Sequence, residues 1–95
     1  MSAPACKVTL PDFVREHGDR LRRYHRQHPG WGALHVCLED GNWWAVDEEW
    51  AVHIEQRTDG YGDPDPEGAA LVRLVMQLSE SQRARLEAHL YPERT

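Results

Sequence analysis

Six histidines and two cysteines among 95 residues are the side chains most able to do chemistry here. His25 with His28, or His35 with Cys37, have spacings that put two nitrogen or sulfur donors on one side of an element, as a zinc site requires. Neither a Cys-x-x-Cys nor a His-Glu-x-x-His pattern accompanies them, so the expectation is that no metal and no cofactor is held. On that reading His17 and His28 edge a core stripe with their polar tips outward, while His25, His53 and His89 are solvated. Cys37 beside His35 is also a nucleophile–base pair within one segment. Catalysis would further need an orienting third group, oxyanion donors and a cleft, and no nucleophile turn or phosphate-cradling glycine loop occurs. Cys37 therefore reads as a small buried thiol, and the chain as a non-enzyme. The acidic run Asp59 to Glu67 resembles a calcium loop only at first sight. Counted from Asp59, an EF-hand needs an oxygen donor, a glycine and a bidentate glutamate where Tyr61, Pro64 and Ala70 stand.

Charge is a stronger signal. Residues 1–30 carry six basic side chains, Lys7, Arg15, Arg20, Arg22, Arg23 and Arg26, against Asp12, Glu16 and Asp19. Residues 31–68 carry Arg57 alone against ten acids, within an overall net charge of −5. The same acidic half holds all four tryptophans, Trp31, Trp43, Trp44 and Trp50. A tryptophan left exposed among carboxylates has the character of a protein-binding anchor, since interaction hot spots concentrate Trp, Tyr and Arg. The expected contact surface is Glu39, Asp40, Trp43, Trp44 and Asp47. The alternative is a nucleic-acid contact through Arg15, Arg22 and Arg26, flanked by Arg23 and His25, whose affinity would fall with salt. No recognised nucleic-acid motif supports it, and the acidic total opposes it.

The elements that must position these residues are legible in part. The length suits one small domain over residues 1–95, and 40% hydrophobic content suits a folded chain. No apolar run approaches the roughly 20 residues of a membrane span. The opening MSAPACKVTL lacks a basic start and an apolar core, so a cytoplasmic setting is expected, in which Cys6 and Cys37 stay thiols rather than bridge. Thr9, Pro11 and Asp12 open a first helix whose stripe is Leu10, Phe13, Val14, His17, Leu21, Tyr24 and His28, ending at Pro29-Gly30. Gly18 weakens that helix unless something packs against it. Leu34, Val36 and Leu38 alternate with His35 and Cys37, which predicts a strand. The Asp40-Gly41-Asn42 turn then leads to a second strand at Trp43 to Val46, forming a small β-hairpin. Trp44 to Ile54 satisfies both a strand and a helix period; the cap at Asp47 and the acids Glu48 and Glu49 select a helix from about Asp47, stopping near Asp59-Gly60. A loop over Thr58 to Pro66 precedes a helix capped by Asp65-Pro66-Glu67, with Ala70, Leu71, Leu74, Val75 and Leu78 on one stripe. Val72 and Met76 fall opposite that stripe, which suggests a homodimer contact. Ser79 to Gln82 is a capping box that opens a last helix through Leu86 to Leu90. The predicted fold is α+β and mainly helical: a long N-terminal helix, a small hairpin, a middle helix and a C-terminal helix pair.

The string His28-Pro29-Gly30-Trp31-Gly32-Ala33-Leu34-His35-Val36-Cys37-Leu38-Glu39-Asp40-Gly41-Asn42, with the later apolar helix and Leu78 to Arg83, resembles short uncharacterised proteins of bacteriophages and prophages. The resemblance spans about residues 28–86 of this sequence. It implies a small accessory protein of phage origin in a bacterial cytoplasm and assigns no functional residues. Together with the acidic tryptophan-bearing middle, it leads to the expectation of a non-enzymatic interaction protein that modulates a host protein.

Overall fold

Thr9 caps the first helix as its sequence requires: the hydroxyl accepts the Asp12 N–H at 3.3 Å, freeing one early backbone donor from the need for water. In this computed structural model, which describes residues 8–28, 32–57 and 63–94, the helix is α1, Leu10–Gln27. Cys6, Trp31, the Pro29-Gly30 stop, the Asp59-Gly60 stop and the first part of the Thr58 to Pro66 loop lie outside the described residues. The remaining helices are α2 (His35–Leu38), α3 (Glu48–Gln56), α4 (Pro66–Val75), α5 (Glu80–Ala84) and α6 (Leu86–Leu90), with 3₁₀ turns at Trp43–Ala45 and Pro92–Arg94.

The fold is all-α; among the described residues there is no strand, and the predicted hairpin does not form. The alternation that suggested a strand is compatible with a helix, because Leu34 and Leu38 are four apart and Cys37 is three from Leu34. Those three are buried, Leu34 at the N-cap of α2 and Cys37 and Leu38 within it, leaving Val36 and His35 half-buried. Ala33, which would begin the strand, has both backbone groups claimed by aromatic side chains. Its N–H donates to the Tyr24 hydroxyl at 3.1 Å, and its carbonyl accepts the Trp50 indole N–H at 2.8 Å. Trp43 and Trp44 stand in a 3₁₀ turn instead of a partner strand. The reversal between them is as expected: Gly41 takes φ +72°, and Asn42 N–H closes back on the Val36 carbonyl.

The middle helix is settled as α3. The Asp47 carboxylate accepts the Trp50 N–H at 2.8 Å, and Arg57 ends the helix in the left-handed region at φ 47°. Asp65 caps α4 through Gly68 N–H, with Pro66 in the first turn, and Ser79 with Gln82 forms the expected reciprocal capping box at α5. The last helix is broken rather than continuous: Arg85 leaves helical geometry at φ −108°, ψ 6°, separating α5 from α6.

One apolar cluster joins these pieces, with Leu10, Phe13, Leu21 and Tyr24 of α1 meeting Leu34, Leu38, Ile54, Leu71, Val75, Leu86 and Leu90. Helices α3 and α4 pack along each other, and α6 lies against α1. Val72 is 0% exposed and Met76 is half-buried against the same cluster. Helix α4 is apolar on both sides because it is sandwiched within the monomer, so the sequence basis for a homodimer contact at Val72 and Met76 is not there. Gly18 does have a close neighbour: a Cβ there would lie 3.2 Å from the Arg22 guanidinium, which lies over the helix at that point.

Candidate binding site

Two polar nodes and one surface groove contain the residues with chemistry. The first node is Tyr24. Its hydroxyl accepts from Ala33 and donates to the free oxygen of the Asp65 cap, tying α1 to the segment before α2 and to the start of α4. Burial first, and the adjacent Asp65 carboxylate second, push the Tyr24 phenol far above its ordinary range, so it remains a neutral donor. Gly68 is required beside it, since a Cβ there would fall 2.5 Å from the phenol oxygen.

The second node corrects the expectation that His25 is solvated. His25 is only 7% exposed, with Nδ1 3.0 Å from the Tyr91 hydroxyl and Nε2 2.7 Å from the Glu39 carboxylate. It follows Tyr24 directly, on the border of the α1 core stripe, and the chain ends leaving α2 and α6 close over it. The sequence signal that could have found it is the adjacency of His25 to a core position in the last turn of an amphipathic helix. Helix α6 is fastened to α1 a second time by Arg22, which donates to the Leu90 carbonyl at 3.1 Å and to Asp19.

The nucleophile pair does not survive as a pair. Cys37 is buried, its thiol donating to the Leu34 carbonyl, and burial pushes its pKa up to about 12. His35, half-buried, faces the Gly32 carbonyl through Nδ1 at 2.9 Å and lies 3.8 Å from Asp40 through Nε2. Residues two apart on a helix point about 200° apart, so base and thiol diverge. Among the described residues no group of three or more His, Cys, Asp or Glu side chains converges on a point where a metal could sit.

The expected contact surface is divided by the fold. Glu39 turns to His25 and Asp40 lies near His35. Trp43 is half-buried against the core, whereas Trp44, its neighbour, is 67% exposed. Trp44 and Asp47 line an open groove of about 450 Å³ together with Ala45, Glu49, Trp50 and His53. The sequence alone assigns His53 to solvent and leaves open which of the tryptophans enter the core. Trp50 and His53 are three apart on α3, and their rings stack with centroids 5.6 Å apart at 14°. The indole N–H bond to Ala33 pins Trp50, so that part of the lining is held in place, while Trp44 is largely exposed. Glu48, next in sequence, turns away from the groove to α4: Arg73 binds its carboxylate at 2.8 Å, which holds that carboxyl below its usual range.

The arginines of the alternative surface are differently occupied. Arg15 pairs with Asp12 and Arg22 with Asp19 and Leu90, all within or beside α1, whereas Arg26 is exposed. Arg20 reaches Glu67 at 3.6 Å, a direct link between the basic and acidic halves. No helix of the described residues is long and apolar enough to cross a membrane. No protein-family model, curated protein or solved structure matches the chain, so fold and site rest on the geometry above.

Proposed function

We propose that the chain is a small non-enzymatic interaction protein whose contact surface is the groove of Trp44, Asp47, Glu49, Trp50 and His53. The observation that carries this reading is Trp44. It is the large apolar side chain that the described fold leaves most exposed, and it stands on the rim of a concave acidic surface. An isolated exposed aliphatic residue needs no explanation, but an indole at the edge of a groove carries a large contact area that water solvates poorly. The resemblance of residues 28–86 to short phage and prophage proteins supplies the context: a phage-encoded modulator acting on a host protein in a bacterial cytoplasm. Nucleic-acid binding through Arg15, Arg22 and Arg26 is the weaker reading, because two of those three guanidinium groups already hold carboxylates of their own helix.

Affinity capture from bacterial lysate with the wild-type chain and with Trp44→Ala tests the proposal. Trp44 contributes little to the core, so the variant should fold normally and lose the partners that the wild type captures. An unchanged set of captured proteins would sink the reading. Charge reversal at Glu39 is a poor substitute, since it would break the His25 node as well as alter the surface.

A further inference from the structure

We propose that the groove is a receptor for an arginine side chain presented by the protein partner, an inference that rests on the interaction reading above. Three features of the groove select this ligand. Its lining is rich in aromatic rings, Trp44 together with the stacked Trp50–His53 pair, and an indole face attracts a cation through its quadrupole. Its acidic groups are available: Glu49 makes no ion pair among the described residues, and Asp47 uses one oxygen for the α3 cap. The groove is open rather than closed on all sides. A compact ammonium ion is held best by an enclosing cage, whereas a planar guanidinium lies flat on one or two rings and gives its edge to a carboxylate, and rings and carboxylates are the groups that line this groove.

The start of α3 opposes a cation with its dipole, equivalent to roughly half a positive charge. Asp47 and Glu49, two carboxylates in the lining, outweigh it, while Glu48 is paired with Arg73. The balance at the groove is therefore negative.

The experiment uses N-acetyl-arginine methylamide as the probe, and its lysine counterpart as the control, titrated at millimolar concentration into the isotope-labelled full chain. The readout is the indole N–H resonances, of which the sequence supplies four. The titration is run at about pH 8, above the range in which unperturbed imidazoles titrate. The expected result is a saturable shift of the Trp44 and Trp50 indoles, with the lysine probe about threefold weaker because its hydrated ammonium stacks poorly. Trp44→Ala should abolish the saturable shift at Trp50. Asp47→Asn keeps a good helix cap, so its effect reports charge alone, and with Glu49→Gln it should weaken the arginine probe by about threefold. Equal response to both probes, no saturable shift, or indifference to these variants would overturn the inference. So would indole shifts that depend only on the protein's own concentration, which would make a second copy the occupant. Loss of captured partners on Trp44→Ala with no response to the arginine probe would leave the interaction reading standing and remove only its ligand. Binding of the probe with capture unchanged would do the reverse.

Discussion

Cys37 and Tyr24 show how burial decides what a reactive side chain can do. Each is a weak acid placed where its charged form would lose its water, and each therefore keeps its proton in the folded chain. For Cys37 the folded value of about 12 stands above the ordinary value of 9.0. Between those values the unfolded chain has released the thiol proton and the folded chain has not, so stability is complete below about pH 9 and falls as pH rises through that window. The expected slope is on the order of 1 kcal/mol per pH unit from this group. Denaturant titrations at about pH 8 and about pH 10 measure it: Cys37→Ala should lose stability at both through the lost volume, but show a smaller drop between them than the wild type. A drop of equal size in both proteins would mean that the thiol is accessible and ionises freely. The same burial accounts for the lack of a partnership with His35, because a thiol that stays protonated and turned inward offers a base nothing to activate.

At the scale of elements, the sequence was most readable where a side chain bonds to its own backbone. Thr9, Asp47, Asp65 and Ser79 each cap the helix that their position implied, because a cap is decided within three residues. The α2 region was misread for the opposite reason. Leu34, Val36 and Leu38 satisfy a two-residue period, but Leu34 and Leu38 also satisfy a helical one, and the choice was made by distant groups: Tyr24 and Trp50 occupy the Ala33 backbone that a ladder would have needed. The groove was half legible for the same reason. Trp44 and Asp47 are visible as a candidate exposed aromatic next to a cap, and the helix expected from Asp47 spaces Trp50 and His53 three apart, but nothing local says that these two line a groove with Trp44. His25 was legible only as a neighbour of a core position, because its partners, Glu39 and Tyr91, are brought to it from other elements. Gly41 belongs to the readable class, and its role can be tested alone. It holds φ +72° with open space around the position of a Cβ, so Gly41→Ala should cost about 1 kcal/mol from backbone strain alone. Gly41→Asn should cost less, since asparagine tolerates this region. Thermal unfolding of the two variants gives the comparison, and an alanine variant as stable as wild type would mean that the reversal is not held in this conformation.

For the whole molecule, the question is how a short chain divides its apolar surface between its own core and a partner. Roughly 100 residues leave a large share of the surface exposed, so every helix face spent inward is lost to association. Helix α4 spends both of its faces inward: Leu71, Val72 and Val75 are all 0% exposed, and the α3–α4 pair is fastened outside the core by Arg73 reaching both Glu48 and Glu55. Among the described residues, the large apolar side chain left exposed for contact is then Trp44. This division predicts that Val72→Ala acts as a core truncation, lowering stability by about 2 kcal/mol through lost packing. The loss should be the same at low and high protein concentration, because the contact lies within one chain. Were Val72 part of a subunit contact, apparent stability would rise with protein concentration in the wild type and the variant would weaken that dependence. Denaturation midpoints at protein concentrations about a hundredfold apart distinguish the two, since mass action would shift a dimer's stability by about 2.7 kcal/mol over that range and a monomer's not at all.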